Sequence, residues 1–211
     1  LLDELGQRAE ARDLYEQVIA GYTSQLGADH TRTLHAKMNL ATLLYDLGQR
    51  TEARDLYEQV IAGYTAQLGT DHTYTLNAKH GLANVLRDLS DHDGARQLYD
   101  EVVPGFHSQL GASHTWTLTA QMDQAVLLGC TGDHACARGS FDSVIAGFSS
   151  ELGSDHILVW TARMHLAELL GRAPEDRARA RAIHEEVVAG FAAQLGGSDI
   201  KTLRAKSKLA D

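Results

Sequence analysis

Histidine is the residue type that most suggests a chemical role in this sequence, because eleven of the 211 residues are histidines. Histidine side chains bind transition metals and transfer protons near neutral pH. Four of them recur at a spacing of 42 residues: His30, His72, His114 and His156. Residues that occupy one position in successive repeats lie far apart along the molecule, whereas the ligands of one metal ion converge to about 2 Å from it. We therefore expect these four histidines to have a structural role in turns.

A second set of histidines, His35, His80 and His165, falls in segments with helical periodicity. No two of them lie four residues apart on one helix, the spacing that presents two imidazoles to one metal ion. The sequence also lacks a glycine-rich phosphate loop, a serine or cysteine nucleophile elbow and an HExxH pattern. We therefore predict a non-enzymatic protein with no catalytic residues, no metal and no cofactor.

The charge composition argues against nucleic acid as a partner. The chain has 19 basic and 28 acidic residues, a net charge of −9, and its Lys and Arg residues are scattered. A phosphate-binding face needs clustered basic residues. No apolar stretch approaches the ~20 residues that span a bilayer, so we predict no membrane insertion.

The two cysteines, Cys130 and Cys136, are too few for a disulfide framework. We expect them to be buried free thiols, and the alternative is a disulfide across a turn between two helices. The two cysteines do not indicate in which cellular compartment the protein resides. An adaptor would be cytoplasmic, whereas a fibre could be extracellular.

Internal repetition dominates the sequence. The dipeptide Leu-Gly recurs at residues 26, 68, 110, 152 and 195, and residues 6–47 align on residues 48–89 with 32 identities in 42 positions. A fixed period of this length is typical of solenoid proteins, in which each repeat is one supersecondary unit.

Each repeat reads as two helices. Residues 33–44 form one apolar stripe, and residues 51–68 form a second with apolar positions at the 3.6-residue period. Gly48 and Gly69 stand where helices commonly end in a left-handed residue. The segments Asp29-His30-Thr31 and Asp71-His72-Thr73 then offer side chains that cap the next first helix.

These residues resemble the tetratricopeptide repeat (TPR), in the 42-residue variant found in kinesin light chains. The matching positions are Asn39-Leu40-Ala41, Leu44, Gly48, Glu52-Ala53, Leu56-Tyr57, Val60, Leu68-Gly69 and Asp71-His72. The resemblance implies an all-α fold, an α-α superhelical TPR solenoid of about five helix-turn-helix repeat equivalents. A single solenoid is expected over residues 1–211, with units at about 31–69, 73–111, 115–153 and 157–196 and half units at 1–27 and 199–211. It also implies protein partners, bound along a concave groove lined by the first helices.

Divergence between the near-identical repeats predicts which residues face that groove. Five of the ten differences between residues 6–47 and 48–89 fall at i, i+3, i+4, i+7 and i+10 of the first helix, on one stripe of its surface. The alternative is free drift at exposed positions. The predicted partner-binding residues are His35, Met38, Asn39, Thr42, Tyr45, Asn77, His80, Asn84, Arg87, Met122, Asp123, Met164, His165, Glu168 and Arg172.

The two ends of the sequence read as complementary halves of one repeat. The last residues, TLRAKSKLAD, followed by the first, LLDELG, match the internal segment TLHAKMNLATLLYDLG at residues 33–48. This pattern predicts a longer covalent array, head-to-tail assembly of subunits, or an arbitrary boundary. The residues expected at an end-to-end junction are Leu1, Leu2, Leu5, Leu203 and Leu209.

Two functions follow as expectations. The first is a structural scaffold that forms part of a longer or head-to-tail assembled superhelical TPR array or fibre. The alternative is an adaptor that binds a peptide or helix of another protein in its concave groove.

Overall fold

The structure is a computed structural model that describes the backbone of residues 2–210 and the side chains of residues 10–209. Within these residues the chain forms ten α-helices and one short 3-10 helix, Pro174–Asp176. The α-helices are α1 (Leu2–Leu26), α2 (Thr31–Asp46), α3 (Arg50–Leu68), α4 (Thr73–Asp88), α5 (His92–Leu110), α6 (Thr115–Cys130), α7 (His134–Leu152), α8 (Ile157–Leu170), α9 (Arg177–Leu195) and α10 (Ile200–Ala210). The all-α fold class is confirmed.

The helices divide between two compact units. Unit 1 ends at Leu110 and contains α1–α5, and unit 2 begins at Gly111 and contains α6–α10. Within each unit consecutive helices pack against each other. Following the repeat, we call α2, α4, α6, α8 and α10 first helices and α1, α3, α5, α7 and α9 second helices.

A histidine caps four of the first helices. His30 has extended backbone angles, and its Nδ1 accepts a hydrogen bond of 3.2 Å from the backbone N–H of Arg32. His72, His114 and His156 make the same bond two residues onward. In α10 the Oδ1 of Asp199 takes this place, at 2.8 Å from the N of Lys201. The structural role predicted for the repeated histidines is confirmed, and the cap is the histidine rather than the preceding aspartate.

A buried threonine ties the start of most first helices to the end of the preceding second helix. Thr33 is fully buried, and its Oγ1 donates to the carbonyl oxygen of Gly27 at 2.8 Å. The same bond joins Thr75 to Gly69, Thr117 to Gly111 and Thr202 to Gly196. In α8 the position holds Val159, which has no hydroxyl to donate. The bond satisfies a helix-terminal carbonyl and fixes where the next helix starts.

A glycine in the middle of each of four second helices lets the paired first helix approach closely. A Cβ on Gly63 would lie 2.7 Å from the Cδ1 of Leu34, and Gly105 and Gly147 would meet Leu76 and Leu118 at the same distance. Gly190 receives Trp160 in the same way. These contacts explain why a poor helix former recurs inside helices.

The apolar core of each unit lies between its first and second helices. In unit 1 it includes Ala41, Ala53 and Val60, and in unit 2 it includes Ala125, Val144 and Phe148. The predicted apolar stripes therefore face one another.

None of the helices in the described part of the chain combines the length and the apolar composition that a membrane span needs.

Two expectations about local structure are wrong. The sequence pattern places the end of a first helix at Gly6, but α1 runs without a break from Leu2 to Leu26. A single glycine inside a helix costs only about 1 kcal/mol, so Gly6 does not end the helix. Cys130 and Cys136 are free thiols, as expected, but both are exposed, because each flanks the turn between α6 and α7 on its solvent side.

Candidate partner-binding grooves

In unit 1 most of the predicted partner-binding residues line one cavity of about 330 Å³. It lies along α2 and α4, with Tyr57 of α3 in its wall, and we call it the unit 1 groove. Seven of the nine residues predicted in this unit belong to its lining: Met38, Asn39, Thr42, Tyr45, Asn77, His80 and Asn84. Asp46, Tyr57 and Gly81 complete it.

The close approach of α3 and α4 shapes this groove. A Cβ on Gly81 would collide with the ring of Tyr57, so only glycine at this position lets the tyrosine reach across. The Tyr57 hydroxyl then lies 2.9 Å from the Oγ1 of Thr42. Between the first helices, the Nδ2 of Asn77 approaches the Sδ of Met38 at 3.7 Å.

Hydrogen bonds hold the far wall of the unit 1 groove in place. The Oδ1 of Asn84 accepts from the hydroxyl of Tyr99 at 2.6 Å and from Nη1 of Arg87 at 2.9 Å. Its Nδ2 lies 3.5 Å from Nε2 of His80. Arg87 also reaches the hydroxyl of Tyr45 at 3.4 Å. Groups held in such a network are preorganised, and a partner does not have to order them.

One end of this wall carries two arginines that share one carboxylate. Arg50 stacks over the ring of Tyr45 at 4.3 Å, and both Arg50 and Arg87 pair with Asp88, at 3.1 and 3.2 Å. Burial raises the pKa of Tyr45, Arg87 opposes the shift and Asp88 reinforces it, and the resulting pKa is about 12. Tyr45 is therefore a neutral hydroxyl that can donate a hydrogen bond across the physiological pH range.

His35 lies apart from the unit 1 groove, in a second cavity of about 460 Å³. Tyrosines from three helices line this cavity: Tyr15, Tyr22, Tyr64 and Tyr74. The hydroxyl of Tyr64 is buried without a hydrogen-bond partner among the described residues, and burial raises its pKa to about 12. The sequence comparison did not single out Tyr64. The available signal was its position, which holds Phe106, Phe148 and Phe191 in later repeats.

The structure corrects the predicted placement of three methionines at the partner-binding surface. Met38, Met122 and Met164 are only 7%, 5% and 6% exposed. All three belong to the cores between first and second helices, and only Met38 borders a groove. A flexible, unbranched side chain fills the irregular space there, which makes these residues packing elements.

In unit 2 the predicted residues His165 and Glu168 of α8 come together with Arg172, which lies in the turn after that helix. His165 Nδ1 lies 3.5 Å from Oε2 of Glu168, and Nζ of Lys208 lies 3.7 Å from its Oε1. Arg172 donates to the carbonyl oxygen of Gly129 at 2.7 Å. Asp123, on α6, is half-buried and is not among the residues that line these cavities.

Glu168 and Arg172 also line a larger cavity of about 570 Å³ between α8, α9 and α10, which we call the unit 2 groove. Most of its charged lining was not predicted: Arg177, Arg181, His184 and Lys208. Arg181 pairs with the exposed Glu185 at 3.2 Å. Basic side chains therefore surround the single carboxylate of Glu168.

Two polar atoms in the unit 2 groove are buried without a hydrogen bond, the Nδ1 of His184 and the Oε1 of Glu168. The separation of that oxygen from Lys208, 3.7 Å, is an ion pair but too long for a hydrogen bond. Burial lowers the pKa of His184, and Lys208 lowers it further while Glu168 opposes the shift. For Glu168, burial alone would raise the pKa, but the hydrogen bond and charge of His165 together with Lys208 and Arg204 outweigh it and lower the pKa.

One pair of positions summarises how the grooves differ along the chain. Thr42 and Tyr57 share a hydrogen bond, as do their equivalents Asn84 and Tyr99. The next pair, Val126 and Phe141, is apolar. The last pair, Glu168 and His184, is ionisable, and each residue has a buried atom left without a hydrogen bond. A comparison of all the repeats would have singled out His184, because the equivalent positions in the other repeats hold tyrosine or phenylalanine.

Among the described residues, no group of three or more His, Cys, Asp and Glu side chains could hold a metal ion. Of the residues predicted at an end-to-end junction, Leu203 is 51% exposed and Leu209 is half-buried in the unit 2 groove. Leu1 and the side chains of Leu2 and Leu5 lie outside the described residues.

Comparison with known proteins identifies the repeat. The profile of the Tetratricopeptide repeat family matches residues 2–66, 33–106 and 74–150. Among solved structures, the chain is similar to the nearly identical TPR-like repeats of a Podosopora anserina protein described as a kinesin light chain. The sequences are 28% identical, the TM-score is 0.69, and the match covers 90% of this chain and 89% of that one. No sequence among the curated proteins matches the chain significantly.

Two more distant structures share the fold. BtubC (BKLC) from P. vanneervenii is 18% identical with a TM-score of 0.73, over 92% of this chain and 77% of that one. YrrB, described as a TPR protein with an unusual peptide-binding site, is 15% identical with a TM-score of 0.51, over 98% and 87%. TPR proteins are typically non-enzymatic scaffolds for protein interactions. The family match, the paired helices and the repeated caps agree that this chain belongs to the tetratricopeptide repeat family.

Proposed function

We propose that this chain is a protein-binding scaffold whose first helices hold an extended segment of a partner protein. The observation that carries the proposal is the unit 1 groove, where residues chosen only for their divergence between repeats line one cavity. Because these positions lie on one stripe of neighbouring first helices, their side chains share one cavity that a partner segment can enter.

The chemistry of the unit 1 groove suits a polypeptide backbone. An extended segment presents N–H and C=O groups that must keep hydrogen-bond partners when they leave water. The half-buried carboxamides of Asn39 and Asn77 can each donate and accept. Each bond formed contributes about 0.5–1.5 kcal/mol net. Most of the lining is uncharged, and Asp46 is its one carboxylate.

Two of the similar structures agree with this function. YrrB is described as having a peptide-binding site, although at 15% identity it shares only the fold with this chain. The more similar Podosopora anserina repeats carry the description of a kinesin light chain.

The test is selection of random peptides displayed on phage against the full chain. Binding of a selected peptide is then measured with an Asn39→Ala/Asn77→Ala variant. We expect at least tenfold weaker binding, because two backbone hydrogen bonds are lost. The matched control is Gln17→Ala/Gln59→Ala, which removes two exposed carboxamides from second helices. Equal binding by both variants would contradict the groove as the site.

A second candidate function is a structural array built by head-to-tail association. The observation that favours it is apolar exposure at two places: Leu14 and Val18 on α1 are 55% and 43% exposed, and Leu203 on α10 is 51% exposed. A heterologous contact that does not close into a ring produces a filament. Sedimentation and electron microscopy test this, and a monomer at all concentrations would reject it.

A further inference from the structure

The first helices and the second helices begin with different capping residues. The residue before α5, Asp91, accepts a hydrogen bond at its Oδ1 from the backbone N–H of Gly94 at 3.0 Å. Asp133 caps α7 in the same way, at 3.2 Å from the N of Cys136. Four first helices are capped instead by the Nδ1 of a histidine, which accepts from the N–H two residues onward at 3.2 Å: His30, His72, His114 and His156. The two kinds of cap differ in their response to protons.

A histidine cap holds only while its imidazole is neutral. The Nδ1 atom must be unprotonated to accept a hydrogen bond, whereas both nitrogens of the charged imidazolium are donors. A proton on Nδ1 therefore breaks the cap and puts a positive charge at the helix end that already carries the positive pole of the dipole. Imidazole ordinarily gains this proton near pH 6.5, whereas the carboxylate of aspartate ordinarily stays ionised to about pH 4. Mild acid should therefore remove the histidine caps and leave the aspartate caps in place.

The charged and titratable groups around the four histidines differ from repeat to repeat. Among the described residues, His165 pairs with a carboxylate at 3.5 Å, whereas none of the four cap histidines forms an ion pair. From the following second helix, Gln67 donates to the carbonyl oxygen of Asp29, and its equivalents are neutral except for Glu151 on α7. The groups that flank the caps are Asp29 and Arg32 at His30, Asp71, Tyr74 and His35 at His72, Glu151 at His114, and Asp155 at His156. The hydrogen bond at Nδ1 is the feature that all four caps share.

Helix α10 shows that this position does not require histidine. Asp199 stands there in the repeat, and its Oδ1 accepts from the N–H of Lys201 at 2.8 Å. Aspartate is also one of the residues that helices in general prefer as a cap. The four histidines therefore do what a carboxylate does in α10, and in addition they make the cap sensitive to protons.

Helix α8 depends most on its histidine. In α2, α4 and α6 a buried threonine also ties the start of the helix to the preceding glycine, as Thr33 does to Gly27 at 2.8 Å. Helix α8 has Val159 at this position, which has no hydroxyl to donate. Loss of the cap at His156 should therefore loosen α8 more than the same loss loosens the other first helices.

We propose that the four histidine caps are a pH-sensitive device that fixes the starts of the first helices at neutral pH and frees them in mild acid. The folded chain holds each cap imidazole neutral, whereas the unfolded chain takes up the proton freely. Each cap therefore stabilises the fold above about pH 6.5, and its contribution is lost as the pH falls below that value. The aspartate caps of α5 and α7 confine the change to the first helices. This inference stands apart from both functions proposed above.

The test is thermal melting of the full chain at pH 7 and pH 5, compared with a variant that carries four aspartate caps: His30→Asp, His72→Asp, His114→Asp and His156→Asp. One cap corresponds to about 2–4 °C in Tm for a chain of this size. We therefore expect the Tm of the parent chain to fall by roughly 8–16 °C more than that of the variant between the two pH values. Equal falls would overturn the proposal.

A matched control removes four histidines that cap no helix: His35→Gln, His92→Gln, His107→Gln and His134→Gln. Its Tm should fall as far as that of the parent chain, because the cap bonds remain. A fall as small as that of the aspartate variant would show that loss of imidazoles in general, and not of the caps, explains the effect, and would also overturn the proposal.

Amide hydrogen exchange of the parent chain then locates the change. Protection factors in the first two turns of α2, α4, α6 and α8 should fall about fivefold between pH 7 and pH 5, with the largest loss in α8. Those at the start of α5 and α7 should stay unchanged, because their caps are aspartates. An equal loss in α5 and α7 would contradict the device.

Discussion

The two units build similar backbones and line them with different chemistry. In unit 1 the groove is lined mainly by uncharged tyrosine, threonine and asparagine side chains, and Thr42 and Tyr57 share a hydrogen bond. In unit 2 the equivalent positions hold Glu168 and His184, which leave two buried atoms without hydrogen bonds. The apolar face of a repeat is constrained by its neighbours, whereas the groove side chains are free to specialise.

The two grooves are also held together by different interactions. Unit 1 relies on a close approach at Gly81 that lets Tyr57 reach Thr42. Unit 2 relies on charge around Glu168, with Lys208 at the position that Gly81 occupies in unit 1. Packing changes should therefore disturb unit 1 most, and pH should disturb unit 2 most.

The largest effect is expected from Gly81→Ala. The new methyl collides with the ring of Tyr57 and breaks the Thr42 contact. We expect a loss of about 1–3 kcal/mol in unfolding free energy relative to the control Gly139→Ala, at a glycine inside α7 with open surroundings. Urea denaturation measures the loss, and amide hydrogen exchange should place it in α2–α4. A variant as stable as its control would mean that Gly81 does not shape the groove.

The second effect concerns pH and unit 2. The pKa of His184 is lower in the folded protein than its unfolded value of about 6.5, so the unfolded state binds the proton more tightly and stability falls as pH falls below about 6.5. The lowered pKa of Glu168 adds a loss at more acidic pH. The variant His184→Phe replaces the histidine with phenylalanine, the residue at the equivalent position 141. It removes the pH dependence that His184 contributes to stability.

We expect His184→Phe to raise the unfolding free energy at pH 7 by about 1–2 kcal/mol, because a buried unpaired nitrogen is removed. Its stability should also change less than that of the parent chain between about pH 7 and pH 5. Urea denaturation at several pH values provides both results. An unchanged pH slope would show that His184 does not distinguish the units.

The smallest effect concerns the turns. Ser90 has a φ of +65°, whereas the equivalent glycines, Gly48 in unit 1 and Gly132 in unit 2, have φ values of +83° and +92°. A left-handed conformation costs a non-glycine residue about 1 kcal/mol, so Ser90→Gly should stabilise the chain by about that amount. Gly132→Ser should lose a similar amount of stability, and thermal melting measures both changes. Destabilisation by Ser90→Gly or stabilisation by Gly132→Ser would contradict the account.

Much of the fold could be predicted because the repeat spacing and helix-ending glycines are local signals. The turn at Gly48 follows directly from them. The residues that line the groove were harder to predict from the sequence. Divergence between two repeats does not separate surface from core, because Met38 is buried in the core whereas its equivalent His80 is half-buried and lines the groove. His184 was missed because the comparison used the two repeats in which its position is tyrosine.

The most direct test of the central claim is amide NMR of the full chain with a phage-selected peptide. If the first-helix groove is the binding site, the side-chain amide signals of Asn39 and Asn77 should shift on titration while those of Gln17 and Gln59 stay in place. Shifts confined to Gln17, Gln59 and the second helices that carry them would contradict the account.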